Sequence, residues 1–102
     1  MRKGTTPTNV FTTDQDLSDA DVVYITYKQK NTVMVEKDKD DITFASASGT
    51  YTMTVRLTQE ETLSFNELPI EIQIRARWAD GTAIASNIVS TNAKEVLKDG
   101  VI

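Results

Sequence analysis

Histidine and cysteine, the side chains that most often supply a base or a thiolate near neutral pH, are both absent from these 102 residues. A serine or threonine nucleophile needs a base beside it, and without histidine only a lysine or a carboxylate is left for that task. Ser46, Ser48, Ser64, Ser86 and Ser90 fall in strand or loop sequence, without the glycine-framed elbow that presents a hydrolase nucleophile. They read as sheet and loop hydroxyls, and no catalytic residue is assigned. The acidic run from Asp14 to Asp21 invites a calcium reading, because Asp14 and Asp16 suit the first and third positions of an EF-hand loop. The pattern then fails, since Asp19 stands where the sharp-turn glycine belongs and Ile25 where the bidentate glutamate belongs. A solvated turn is the expectation, and no metal site is assigned. Glu60 and Glu61 are sequence neighbours, so they do not face each other across a substrate as glycoside hydrolysis requires. No glycine-rich phosphate loop or metal-ligand cluster is present, and no cofactor is expected.

Binding chemistry has more to work with. Arg75 and Arg77 share the polar face of one strand pattern, and Arg56 is expected on a neighbouring strand. Such a face (Arg56, Arg75, Arg77) suits a phosphate, a sugar acid or an acidic partner surface. The competing reading is cross-strand pairing with Glu71 and other carboxylates. Trp78 with Tyr24, Tyr27 and Tyr51 would make an aromatic platform for sugar. Trp78 and Tyr51 fall on the faces expected to be buried, so core packing is their default role.

The element that must position the arginines is Leu68 to Trp78. Ile70, Ile72, Ile74, Ala76 and Trp78 alternate with Glu71, Gln73, Arg75 and Arg77, and a period of two sends one set to each face of a sheet. Asp80-Gly81 follows, a pair suited to the positive φ angles of a tight hairpin turn, so Thr82 to Ser90 should return antiparallel. Further strands are expected at Val10–Thr13, weakly patterned and at an edge, and at Val22–Lys30 with Val23, Ile25 and Tyr27 inward. Others are expected at Thr32–Lys37, at Ile42–Ala45, and at Thr50–Leu57 with Tyr51, Met53, Val55 and Leu57 on one face. Lys30-Asn31, Asp38–Asp41 and Ser46–Gly49 read as turns or loops, and 14–21 as a polar connection whose Asp and Ser side chains suit a helical turn. Thr58 and Glu61 fit a capping box opening a short helix over Gln59 to Phe65, which Pro69 discourages from running further, with Leu63 and Phe65 closing one end of the core. Asn92 and Glu95 give a weaker cap before Val96 to Lys98, with Gly100 as a terminator, and a last strand over Ala93 to Leu97 competes with that helix. Residues 1–8 are expected as a loose start.

Length allows one domain, residues 1–102, with a modest core. The expected fold is all-β, an antiparallel β-sandwich of about seven strands (Ig-like) with one short helical turn; a small open barrel is the alternative. The formal charge of −4 argues against general binding to nucleic acid or anionic membrane. No run approaches the roughly 20 apolar residues of a membrane span. The Arg2-Lys3 pair is followed by no apolar segment, so no secretory signal is expected.

Four stretches carry a family resemblance: Met1 to Thr8, Val23 to Gln29, Leu57 to Phe65 and Ala85 to Val89, with the ending Leu97 to Ile102. Together they resemble a family of small proteins encoded by tailed phages and prophages of Gram-positive bacteria. The resemblance covers almost the whole chain. It implies a phage origin and a non-enzymatic structural or assembly role through contact with itself, as a homo-oligomer, or with another virion protein. It also implies synthesis in the host cytoplasm and association with the virion, and supplies no catalytic residues. A carbohydrate-binding sandwich recognising host-surface glycan is the alternative. Exposed aromatics would favour sugar, and a flat threonine-rich or apolar edge would favour assembly.

Overall fold

Among the described residues eight strands form two antiparallel sheets, and the alternation of side chains dictates which face of each is buried. The computed structural model describes residues 1–86, 88–92 and 101. In chain order the strands are β1 (Thr8–Thr13), β2 (Val22–Gln29), β3 (Thr32–Asp38), β4 (Thr43–Ala47), β5 (Thr50–Arg56), β6 (Pro69–Arg77), β7 (Ala83–Ala85) and β8 (Val89–Asn92). A 3₁₀ turn occupies Lys39–Asp41, and helix α1 occupies Gln59–Leu63. One sheet has the order β1-β5-β4, and the other β3-β2-β6-β7, with β8 also paired to β6. The fold is therefore an all-β sandwich and not a barrel. The weaker cap at Asn92 and Glu95 and the competing last strand over Ala93 to Leu97 lie outside the described residues.

Period-two patterning carries through to packing. Val23, Ile25 and Tyr27 of β2, Met53 and Val55 of β5, and Ile70, Ile72, Ile74 and Ala76 of β6 are buried in one cluster with Leu57 and Phe65. The two inner faces thus share a single core, as sandwich geometry requires. β2 is an interior strand, flanked by β3 and β6, with Ile25 opposite Ile74 and Tyr27 opposite Ile72.

Local chemistry sets the turns. Lys30 and Asn31, both at positive φ, close the β2–β3 hairpin, and Ser48 and Gly49 do the same for β4–β5. The 46–49 loop is thus a two-residue turn, with Ser46 and Ala47 drawn into β4. At the β6–β7 turn the Gly81 amide donates to the Trp78 carbonyl, and the Trp78 amide to the Thr82 carbonyl. Only Gly81 takes positive φ, so the Asp-Gly pair closes a longer turn with a glycine bulge instead of the two-residue turn its composition suggests. Asp80 uses its carboxylate to accept from the Thr82 amide. Thr58 and Glu61 form the expected capping box: the Glu61 amide donates to the Thr58 hydroxyl at 3.1 Å, and the Thr58 amide to the Glu61 carboxylate at 2.8 Å.

Four segments depart from expectation. The opening residues are tied down: the Leu57 amide donates to the Pro7 carbonyl, and the buried Thr62 hydroxyl donates to the Thr5 carbonyl. The first strand begins at Thr8, two residues before the patterned part, because pairing with β5 runs on to Arg56. The polar connection 14–21 sends Leu17 and Ala20 into the core, fixed by the Trp78 indole N–H donating to Asp19 and by the Lys39 ammonium donating to the Ala20 carbonyl. In α1 the fully buried position is Thr62, whereas Leu63 stays partly exposed, since only one face of so short a helix meets the sheets.

Candidate interaction surfaces

Each outer face follows from the strand that carries it. On β6, Glu71, Gln73, Arg75 and Arg77 point away from the core because Ile70, Ile72, Ile74 and Ala76 point into it. Arg75 and Arg77 therefore stand two residues apart on the outer face of the larger sheet. Arg75 is flanked by Tyr24 and Ala85 in register, and Arg77 by Val22 and Ala83. Ala83 is short, and a groove of about 300 Å³ lies beside the guanidinium groups, lined by Val22, Tyr24, Arg75, Ala76, Arg77 and Ala83.

Arg56 does not extend this stripe. It lies on the outer face of β5, in the other sheet and thus on the opposite side of the sandwich, where it donates to the Thr6 hydroxyl at 3.1 Å. Alternation tells which face a residue takes, but not which strands become neighbours. The expected pairing of the stripe with Glu71 is not formed. Glu71 sits opposite Lys28, not beside Arg75, and Arg77 meets Asp21 at 3.7 Å with both side chains largely in water. An ion pair so exposed contributes at most about 1 kcal/mol. Among the described residues Arg75 makes no ion pair.

The aromatics separate along the same lines. Tyr27 is fully buried and tilted against Phe65, its ring centre 6.2 Å away. Burial pushes its hydroxyl pKa up to about 12, with a smaller opposing effect from the Asn9 amide that donates to it at 2.8 Å. Tyr51 and Trp78 are partly buried, and Trp78 packs against the core. Tyr24 alone is well exposed, at 41%. The four aromatics therefore make no continuous platform.

The smaller sheet presents a different outer face. Val10, Thr54 and Thr43 form one cross-strand row, and Thr12, Thr52 and Ala45 the next, with Thr8 and Arg56 at one end and Ala47 and Thr50 at the other. Arg56 is its one charge. Neither edge strand, β1 (TNVFTT) nor β4 (TFASA), contains a charged residue or a proline.

Two polar groups inside the fold were missed by the sequence reading. Lys37 of β3 is buried and meets Glu61 of α1 at 2.7 Å. Burial alone would push the Glu61 carboxyl up, but the Lys37 ammonium and the Thr58 amide and hydroxyl together hold it below its ordinary value. Gln29, at the end of β2, is 2% exposed. Its amide N–H groups donate to the Asn66 and Leu68 carbonyls, and its oxygen accepts from the Asn66 amide. Strand alternation puts Gln29 on the inner face, which was the available clue. Both serve the frame.

The acidic connection is a turn: the Asp16 carboxylate accepts from the Ser18 hydroxyl and amide, and these bonds lower its pKa. Among the described residues no three acidic side chains gather as metal ligands. None of the described helices is long and apolar enough to cross a membrane. No family model, no curated protein and no solved structure matches the chain.

Proposed function

We propose that the protein is a non-enzymatic module that works by protein–protein contact, in the phage structural or assembly role that the sequence resemblance implies. The observation that carries this reading is the smaller sheet, whose outer face bears a single charge and whose two edge strands bear none. Exposed edges are ready templates for another chain, and soluble proteins ordinarily blunt them with charge, proline or bulges. The partner is the protein itself or another virion protein, met after synthesis in the host cytoplasm. An Ig-like sandwich suits this role, and strand order supports that finer reading. With the first strand of the Ig pattern missing, β1-β5-β4 corresponds to B-E-D and β3-β2-β6-β7 to C′-C-F-G.

The test combines mass spectrometry of purified particles with direct binding to each phage structural protein. The expected result is presence in particles, or binding that Val10→Lys and Thr54→Lys weaken while leaving the melting temperature nearly unchanged. A chain absent from particles, monomeric at high concentration and unbound by any structural protein would end the contact reading.

One observation favours the second reading, recognition of a host-surface glycan. Tyr24 is exposed beside Arg75, and the groove between them is the right kind of surface for a sugar acid, a ring to stack on and a guanidinium for the carboxylate. A glycan-array signal lost on both Tyr24→Ala and Arg75→Ala would move this reading into first place.

A further inference from the structure

The four sheet edges are not guarded alike. β3 carries Glu36, Lys37 and Asp38, and a register shift opposite Tyr27 and Lys28 bends it. The edge beyond β6 is broken into two short pieces, β7 and β8. β1 starts directly after Pro7, and Val101 lines a groove with Thr6 and Arg56 at that end of the sheet. Charge, a bulge, interruption and proline are the usual protections of an edge. β4 has none of them. It runs five residues in unbroken register with β5, uncharged and largely exposed, and among the described residues nothing pairs with its outer side.

We infer that β4 is the docking edge and that its occupant is β4 of a second copy, paired antiparallel about a two-fold axis at Ala45. This deepens the contact reading above and rests on it. The strand is complementary to itself. Centred on Ala45, the pairing sets Thr43 opposite Ala47 of the second copy on the outer face, and Phe44 opposite Ser46 on the inner face. No like charges meet, because β4 has none, and no large side chain meets another large one. The axis stands perpendicular to the sheet, so outer face continues into outer face and β1-β5-β4 becomes half of a six-stranded sheet. Phe44, packed against the core but still partly exposed, gains cover from the neighbouring strand. The interface is isologous and closes at two copies. A five-residue edge buries far less than the area of a tight dimer, so the pairing is weak and fills at high local concentration, as in an assembling particle.

Sedimentation equilibrium of the full chain, from micromolar to about 1 mM, tests this. The wild type should show a reversible monomer–dimer equilibrium. Thr43→Lys/Ala47→Lys places two lysine pairs across the axis and should weaken the dimer at least about tenfold, with an unchanged thermal melt. Thr43→Lys/Ala47→Glu places opposite charges in the same register and should restore it. A wild type monomeric throughout this range would overturn β4 pairing, while binding to another structural protein would still stand for the contact reading. A dimer weakened by Val10→Lys but indifferent to both β4 variants would overturn it too, in favour of another surface. Failure of the opposite-charge variant to restore the dimer would overturn the pairing about Ala45.

Discussion

Lys37 on β3 and Glu61 on α1 form a 2.7 Å ion pair whose side chains are 10% and 25% exposed. The pair joins an edge of the larger sheet to the crossover that leaves the smaller one. Because Glu61 also closes the capping box with Thr58, one carboxylate serves the helix start and the sheet-to-helix contact together.

Removing that carboxylate should be costly, since it strands a buried ammonium. Glu61→Gln should destabilise the domain by about 1–3 kcal/mol, below the range for fully buried pairs because Glu61 is partly in water. The folded-state pKa lies below the ordinary value of 4.5, so the stabilisation is present above that value and is lost as pH falls through the folded one. Urea melts between pH 7 and pH 3 should therefore show the wild-type advantage over Glu61→Gln shrinking below about pH 4.5. A difference constant across that range would mean the ion pair is not the source of the effect.

Face assignment can be checked by contrast. Ile74 is buried on β6, and Ile74→Ala should cost about 2–5 kcal/mol. Thr54, on the outer face of β5, should tolerate alanine with a loss under about 1 kcal/mol. Equal effects in denaturant melts would show that the sheet faces are misassigned.

Gln29 holds three backbone groups through part-buried hydrogen bonds. Replacing it with leucine keeps the bulk but leaves the Asn66 amide and the Asn66 and Leu68 carbonyls without this partner. The expected loss is about 2–4 kcal/mol, unusually large for a polar-to-apolar exchange at a buried position. Hydrogen exchange should show the Asn66 amide losing protection first. Wild-type stability and protection in Gln29→Leu would remove the amide from any structural role.

Calcium should do nothing measurable. Asp16 spends its carboxylate on the Ser18 amide and hydroxyl, and no acidic cluster surrounds it among the described residues. Millimolar calcium should leave the melting temperature nearly unchanged. A saturable rise, abolished by Asp16→Asn, would restore the metal reading.

Much of the frame was legible residue by residue. Ile70 to Ala76 alternate strictly, and a strand with one buried face has no other way to satisfy that pattern, so Arg75 and Arg77 had to share the opposite side. Thr58 and Glu61 announced the helix start because capping is a local exchange of hydrogen bonds within one turn. What alternation cannot specify is which strands meet. Arg56 looked like part of the arginine stripe, yet pairing of β5 with β1 and β4 puts it on the far side of the sandwich. Leu17 and Ala20 sit in a connection without period, and only closure of the core over them makes them interior. Lys37 is exposed by composition and buried by circumstance, since its carboxylate partner arrives from a segment 24 residues later in the chain (37 to 61). Local residues thus determined the main strands, the helix cap and the sheet face that their side chains take. The edges, the neighbours and the ion pair inside were decided only when distant segments met, because each depends on contacts between residues that no period in the sequence connects.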